Sequence, residues 1–304
     1  MTDACCRALI YFLALQTMLD SFQRSLIYQP WKVDRLPSAA VEIQQAVTDV
    51  QISTADGLVL NGWLSLAGAK RGEAIHIELL SKRDRPLVII FPGNGGHRGL
   101  RQYLLQILGS MDADTLIFDY RGFGDNPGKP TETHLAEDSR RVWNFATSTL
   151  KVPPSRVVLY GESLGGAVAT RLAAELTAEG IEPGGLVIQA SFDSLAAAGR
   201  FHFPYLPVSL FLIDRFDSKR HISKVNCPIL HLHGMRDSIV PFRLGQRLFG
   251  AAPPQSKAGV SKQFVALPNS DHNDVFGPDA RIAVKAVQDF LKGVIDRHKK
   301  VSAP

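Results

Sequence analysis

The run Arg156-Val157-Val158-Leu159-Tyr160-Gly161-Glu162-Ser163-Leu164-Gly165 decides how this chain is read. The apolar stretch before Gly161 predicts a buried strand, and a helical pattern follows from Leu164 to about Glu179. Between them stands G-x-S-x-G. Glycines on both sides of the serine permit a sharp strand-to-helix turn that a Cβ would block, and the turn holds the hydroxyl out at its tip. The N-terminus of the helix behind it aims free N–H groups at the same spot, where an anion is stabilised. The plainer alternative is a glycine-rich turn that packs a helix on a sheet and carries an idle serine. The rest of the chain has to choose between them.

A serine hydroxyl is a weak nucleophile and needs a base, which in turn needs an orienting acid. Pro228-Ile229-Leu230-His231-Leu232-His233-Gly234 reads as a buried strand ending in a turn, and Asp237 follows. Gln263-Phe264-Val265-Ala266-Leu267 reads as another strand, and His272 lies in the loop beyond it. Ser163, Asp237 and His272 therefore all stand just past strand ends, the side on which open α/β sheets bind ligands. Asp237 alone reads equally well as a turn cap. Asp271 and Asp274 flank His272 and are alternative orienting acids. His231 and His233 read as core or supporting residues. They alternate on a strand, but no carboxylate or cysteine cluster accompanies them, so no metal site is expected.

An oxyanion needs two N–H donors. The backbone of Leu164 supplies one. Pro86-Leu87-Val88-Ile89-Ile90-Phe91 predicts the third strand, and Pro92-Gly93-Asn94-Gly95-Gly96 the loop after it, with the Asn94 N–H as second donor. No phosphate-loop or dinucleotide glycine pattern is present, and no organic cofactor is expected.

These residues carry a resemblance. The chain is similar to α/β-hydrolases of the Bem46 type, the group that includes the ABHD13-like and ABHD17-like serine hydrolases. The resemblance runs from about Phe22 to the last helix. It rests on Gln23-Arg24-Ser25-Leu26-Ile27-Tyr28-Gln29-Pro30, Phe118-Asp119-Tyr120-Arg121-Gly122-Phe123-Gly124, the Ser163 turn, Phe203-Pro204-Tyr205-Leu206-Pro207-Val208, Asp214-Arg215-Phe216-Asp217-Ser218, the stretch from Gly234 to Pro241, and His272-Asn273-Asp274. It implies the chain order Ser, Asp, His and an ester or thioester substrate, including a long-chain acyl thioester on a membrane protein. Three positions depart from the group's pattern: Pro92 replaces a histidine, Ser270 a glycine, and Asp125-Asn126 a small residue and a serine.

With 304 residues, 45% apolar and 21% charged, the chain suits one large α/β domain. The formal charge of +5 is mild, and no nucleic-acid motif accompanies it. Cys5, Cys6 and Cys227 imply no disulfide framework; Cys5 and Cys6 are candidate acylation sites. The apolar run Ala8-Leu9-Ile10-Tyr11-Phe12-Leu13-Ala14-Leu15 is too short for a spanning helix, which needs about 20 residues. It reads as an uncleaved anchor or interfacial helix, and membrane association is expected through residues 4–27. The alternatives are an amphipathic helix folded onto the domain and a cytoplasmic protein.

Val47–Ser53 and Leu58–Leu66 predict a hairpin, with a polar loop over 68–84. From Pro86 onward, strands alternate with helical patterns. The expected fold is α/β: an α/β-hydrolase fold with a mostly parallel central sheet, helices on both faces and a small helical cap. Residues 1–30 form the apolar N-terminal segment and 31–304 the hydrolase domain, with the cap at about 193–225. Phe201, Phe203, Tyr205 and Phe211, with Leu206 and Leu212, are candidate lining of an acyl pocket. The expected activity is cleavage of an ester or thioester of a small molecule or acylated protein. The rivals are a peptidase of the same fold and a non-catalytic, membrane-associated binding protein.

Overall fold

In the computed structural model, which describes residue 18 and residues 20–302, eight strands form one sheet. They are β1 (Gln45–Ser53), β2 (Val59–Lys70), β3 (Leu87–Phe91), β4 (Asp114–Phe118), β5 (Val157–Glu162), β6 (Gly185–Gln189), β7 (Ile229–Gly234) and β8 (Gln263–Leu267). Their spatial order is β8-β7-β6-β5-β3-β4-β2-β1. β2 is antiparallel to both β1 and β4, and every other pairing is parallel. The expected hairpin forms, with Gly57 in the left-handed region at its turn. β2 runs on to Lys70, further than the apolar pattern predicts, and a short 3-10 helix occupies Ile77–Lys82 within the expected polar loop.

The inner parallel strands β3 to β7 are buried on both sides, and their alternate residues feed two separate cores, whereas the edge strand β8 is largely open to solvent. Leu87, Ile89, Phe91, Leu159, Leu186 and Ile188 pack on one face with helices α2 (Glu132–Asn144) and α3 (Leu164–Ala178). Val88, Ile90, Val158, Tyr160, Val187 and Leu230 pack on the other with α1 (Gln102–Ser110) and α8 (Ala280–Ser302). Between β6 and β7 lie three short helices, α4 (Leu195–His202), α5 (Val208–Phe211) and α6 (Ser218–Ile222), and α7 (Phe242–Ala251) follows β7.

From β3 the chain crosses to β4 on one side, while β5 lies on the other. The strand order thus reverses at β3, and such reversals open a crevice at the carboxyl ends of the strands. Cys5, Cys6 and the run from Ala8 to Leu15 lie outside the described residues. Among the described residues, no helix is long and apolar enough to cross a membrane.

Candidate active site

Ser163 sits between β5 and α3 at φ 53°, a left-handed conformation that a residue with a Cβ rarely adopts. Such strain costs about 1–3 kcal/mol and persists only where its surroundings impose it. They do so here. The Ser163 N–H donates to Gln189 O at 2.8 Å, and its carbonyl accepts from Ser191 Oγ at 2.8 Å and the Gly166 N–H at 2.9 Å. The flanking glycines are required by contact: a Cβ on Gly161 would lie 2.5 Å from Gly166 Cα, and one on Gly165 would collide with the Phe91 carbonyl. No side chain caps α3, and the N–H of its first residue, Leu164, makes no hydrogen bond among the described residues.

His272 Nε2 lies 3.0 Å from Ser163 Oγ, and its Nδ1 lies 2.8 Å from Asp237 Oδ2. All three residues are buried, at 7%, 8% and 7% exposure for Ser163, His272 and Asp237. Asp237 does two jobs with two oxygens. Oδ1 caps its own turn, accepting the N–H groups of Ile239 at 3.0 Å and Val240 at 2.7 Å. Oδ2 is thereby turned to the imidazole. Burial would raise the Asp237 pKa, but hydrogen bonds from His233 and His272 outweigh it and hold the carboxyl at about 2.

Asp271 and Asp274 do not meet the imidazole ring. Asp271 accepts the His272 N–H at 2.7 Å and the Ser238 N–H at 2.8 Å, and Asp274 accepts the Asp271 N–H at 2.6 Å. They shape the loop that presents the ring.

His233, buried at the end of β7, places Nε2 at 2.9 Å from Val240 O and 3.2 Å from Asp237 Oδ2. With Nε2–H donating there, Nδ1 is the acceptor and faces His231 Nε2 at 3.4 Å. Burial, followed by the neighbouring His233, pushes the pKa of His231 well down. Among the described residues, no group of three or more His, Cys, Asp or Glu side chains is arranged to hold a metal ion.

The loop after β3 closes over the serine. A Cβ on Gly93 would be 3.5 Å from Ser163 Cβ, and Asn94 and Leu164 border the same cavity as Ser163. Neither Asn94 N nor Leu164 N donates to another group among the described residues. At the departures named above, Pro92 O accepts from Tyr120 Oη at 2.8 Å, and Ser270 Oγ donates to Asp279 at 2.9 Å. Asp125 pairs with Arg98 at 2.6 Å. Each holds a loop in place.

The cavity over Ser163 has a volume of about 420 Å³ and is walled almost wholly by apolar side chains. Of the candidate lining residues, Phe203, Leu206, Phe211 and Leu212 border this cavity. Phe201 and Tyr205 do not. Phe201 carries the Arg243 guanidinium over its ring at 5.6 Å, and Tyr205 is 97% exposed. Sequence reasoning missed Phe22, Leu26 and Ile27, which supply wall from a helical segment at residues 20–27. It also missed Phe192, Ile239 and Val240. The stretch from Gln23 to Pro30, singled out above as a marker of resemblance, was the available signal.

Comparison with known proteins agrees with this architecture. The family model described as "Serine aminopeptidase, S33" matches residues 82–198. An uncharacterized protein of Mycobacterium tuberculosis is 36% identical over 275 residues, covering 90% of this chain and 89% of that protein. The lysophosphatidylserine lipase ABHD12 of Danio rerio is 30% identical over 218 residues, 66% of this chain. The chain spans 56% of that lipase's length. The esterase Pf2001 of Pyrococcus furiosus superposes with a TM-score of 0.64 at 20% identity, over 87% of this chain and 98% of its own. An alpha-beta hydrolase from Vibrio vulnificus superposes at 0.62, over 79% and 81%. With its strand order, its serine turn and these relatives, the chain belongs to the α/β-hydrolase superfamily.

Proposed function

We propose that this protein is a serine hydrolase that cleaves carboxylic esters or thioesters of apolar acyl chains through an acyl-enzyme. One observation carries the reading: Ser163, the first member of the hydrogen-bonded series Ser163–His272–Asp237, borders an apolar cavity. In the proposed cycle His272 Nε2 takes the proton of Ser163 Oγ as the oxygen attacks the substrate carbonyl carbon. Asp237 fixes the imidazole tautomer and stabilises the imidazolium. The N–H groups of Leu164 and Asn94 receive the oxyanion. His272 returns the proton to the leaving alcohol or thiol. Water, deprotonated by the same ring, then attacks the acyl-enzyme and frees Ser163 with a carboxylic acid.

A volume of about 420 Å³ is within the range of small-molecule sites, roughly 300–1,000 Å³. Its apolar walls suit one extended acyl chain, with the polar leaving group toward solvent. The lipase name of the Danio rerio relative supports a single-chain lipid ester as one substrate class. In this reading residues 193–225 form a cap, and the Bem46-type resemblance extends the candidates to acyl thioesters on proteins. Phe22, Leu26, Phe203, Leu206 and Phe211 are each at least half exposed while lining the cavity mouth. An apolar rim of this kind favours association with a lipid surface, in keeping with membrane attachment through residues 4–27.

The aminopeptidase description of the matching family model favours a second reading, cleavage of an amide at the same serine. One panel separates them: p-nitrophenyl esters of increasing chain length, a palmitoyl thioester, lysophosphatidylserine and aminoacyl p-nitroanilides. The proposal expects ester or thioester turnover that rises with chain length and vanishes in Ser163→Ala. Turnover of anilides alone would establish the peptidase. No turnover of any member by folded protein would favour a binding protein.

A further inference from the structure

Pro92-Gly93-Asn94-Gly95-Gly96 holds three glycines in five residues, and glycine has the widest backbone freedom of any residue. Such a loop does not hold an N–H group still by itself. The proposed oxyanion donor, Asn94 N–H, belongs to the Gly93–Asn94 peptide, which makes no hydrogen bond of its own among the described residues. The peptides on either side are tied. Tyr120 Oη donates to Pro92 O at 2.8 Å, and the Gln29 N–H donates to Asn94 O at 2.9 Å. The Asn94 side chain adds a third bond, Nδ2 donating to Ile27 O at 2.8 Å. Gln29 and Pro30 then pair in parallel register with Gly95 and Gly96, and Arg101 Nη1 donates to Gly95 O at 2.7 Å.

The segment that makes these bonds is itself anchored. Tyr28 is buried, packs edge-on to Phe216, and donates from Oη to Asp214 at 2.9 Å. Arg24 pairs with the same carboxylate at 3.2 Å. Beyond Pro30, the Gly124 N–H donates to Trp31 O and the Val33 N–H to Gly124 O, both at 3.1 Å. Phe22, Leu26 and Ile27 of the same segment wall the cavity. One continuous stretch of chain therefore borders the acyl site and grips the loop beside Ser163.

We propose that residues 27–30 are positioning residues for the oxyanion hole: a strap, remote in sequence, that orients the Asn94 N–H toward the developing charge. The inference rests on the serine-hydrolase reading above. A donor displaced by a fraction of its hydrogen-bond length loses transition-state binding while ground-state binding of the acyl chain persists.

The test uses the full chain and two variants. Gln29→Pro removes the N–H that meets Asn94 O. Asn94→Ala removes the Nδ2–Ile27 bond and keeps the proposed donor. Readouts are kcat/KM on p-nitrophenyl butyrate and inhibition by a short-chain trifluoromethyl ketone, whose serine adduct places an oxyanion in the hole. Two more are inhibition by decanol, which fills the cavity without forming an oxyanion, and thermal unfolding. The expectation is a fall in kcat/KM of about a hundredfold for Gln29→Pro and about tenfold for Asn94→Ala. Ketone affinity falls in proportion, and decanol affinity stays within about twofold. Deleting residues 1–17 should leave all of these unchanged. Should Gln29→Pro fail to fold, Asn94→Ala decides. Wild-type kcat/KM and ketone affinity in folded Asn94→Ala, or a lowered melting temperature alone, overturns the strap. So does an equal loss on deleting residues 1–17. A wild type that hydrolyses no ester overturns the serine-hydrolase reading as well, and the Ser163→Ala control tells the two failures apart.

Discussion

The Ser163 turn and the Asn94 loop lie against each other, yet they are held in different ways. The turn is fixed by backbone packed tightly against the sheet core. Its glycines admit the backbones of Phe91, Gly165 and Gly166, and a residue at φ 53° is kept there by Gln189 and Ser191 on the neighbouring strand end. The loop has three glycines and is constrained from outside, by Tyr120, Arg101 and residues 27–30. The proposed nucleophile therefore depends on a short motif packed against the sheet. The proposed oxyanion site is a property of the assembled molecule. Damage to the turn should abolish chemistry outright, whereas damage to the loop's supports should grade it.

The sharpest break on the turn side is Ser163→Ala, expected to lower ester kcat by about 10⁶-fold while the protein still folds. Steady-state hydrolysis with a melting curve checks it. Asp237→Asn tests the acid. It leaves the shape intact but disturbs the imidazole tautomer, for a fall of about 10⁴-fold in kcat.

Asp237 also links the site to stability. Its carboxyl is held at about 2, below its ordinary 3.8, so the ionised form is favoured in the folded state. The resulting stabilisation, about 2 kcal/mol, is complete above the unfolded pKa and is lost as pH falls through about 2. Urea titrations at stepped acid pH should show the stability gap between wild type and Asp237→Asn closing on acidification; a constant gap would contradict the linkage. The smallest effect belongs to the cavity. Phe211→Ala should lower kcat/KM for a long-chain ester by about tenfold and spare a butyrate ester, because one apolar wall contact is worth about 1–3 kcal/mol. Equal loss on both esters would place Phe211 outside the acyl path.

How much of this was legible in the chain follows the same division. The alternating apolar runs from Pro86 onward were enough for the parallel sheet, because strands β3 to β7 are buried on both faces and each carries its own signal. Ser163, Asp237 and His272 could be named from their places beyond strand ends, and they lie in hydrogen-bond contact. The role of His233 was harder to see, since a strand-end histidine looks the same whether it packs in the core or donates to Asp237.

Side-chain direction inside the inserted segment was not legible. Phe201 and Phe203 are near neighbours, but only Phe203 lines the cavity, and the fully exposed Tyr205 is told from Leu206 only by the packing of two short helices. Phe22 and Leu26 share one helix face, and their apolar character read naturally as a continuation of the upstream membrane segment. That they wall a cavity, with Gln29 gripping a loop 65 residues later, depends on tertiary pairing with Asn94 and Gly95 that no local pattern encodes.

The most direct test of the central claim is labelling with a fluorophosphonate probe, mapped by mass spectrometry, in wild type, Ser163→Ala and His272→Ala. The account predicts a single adduct on the Ser163 peptide, absent in Ser163→Ala and slowed by several orders of magnitude in His272→Ala. An adduct on another residue, or no adduct on folded wild-type protein, would contradict it.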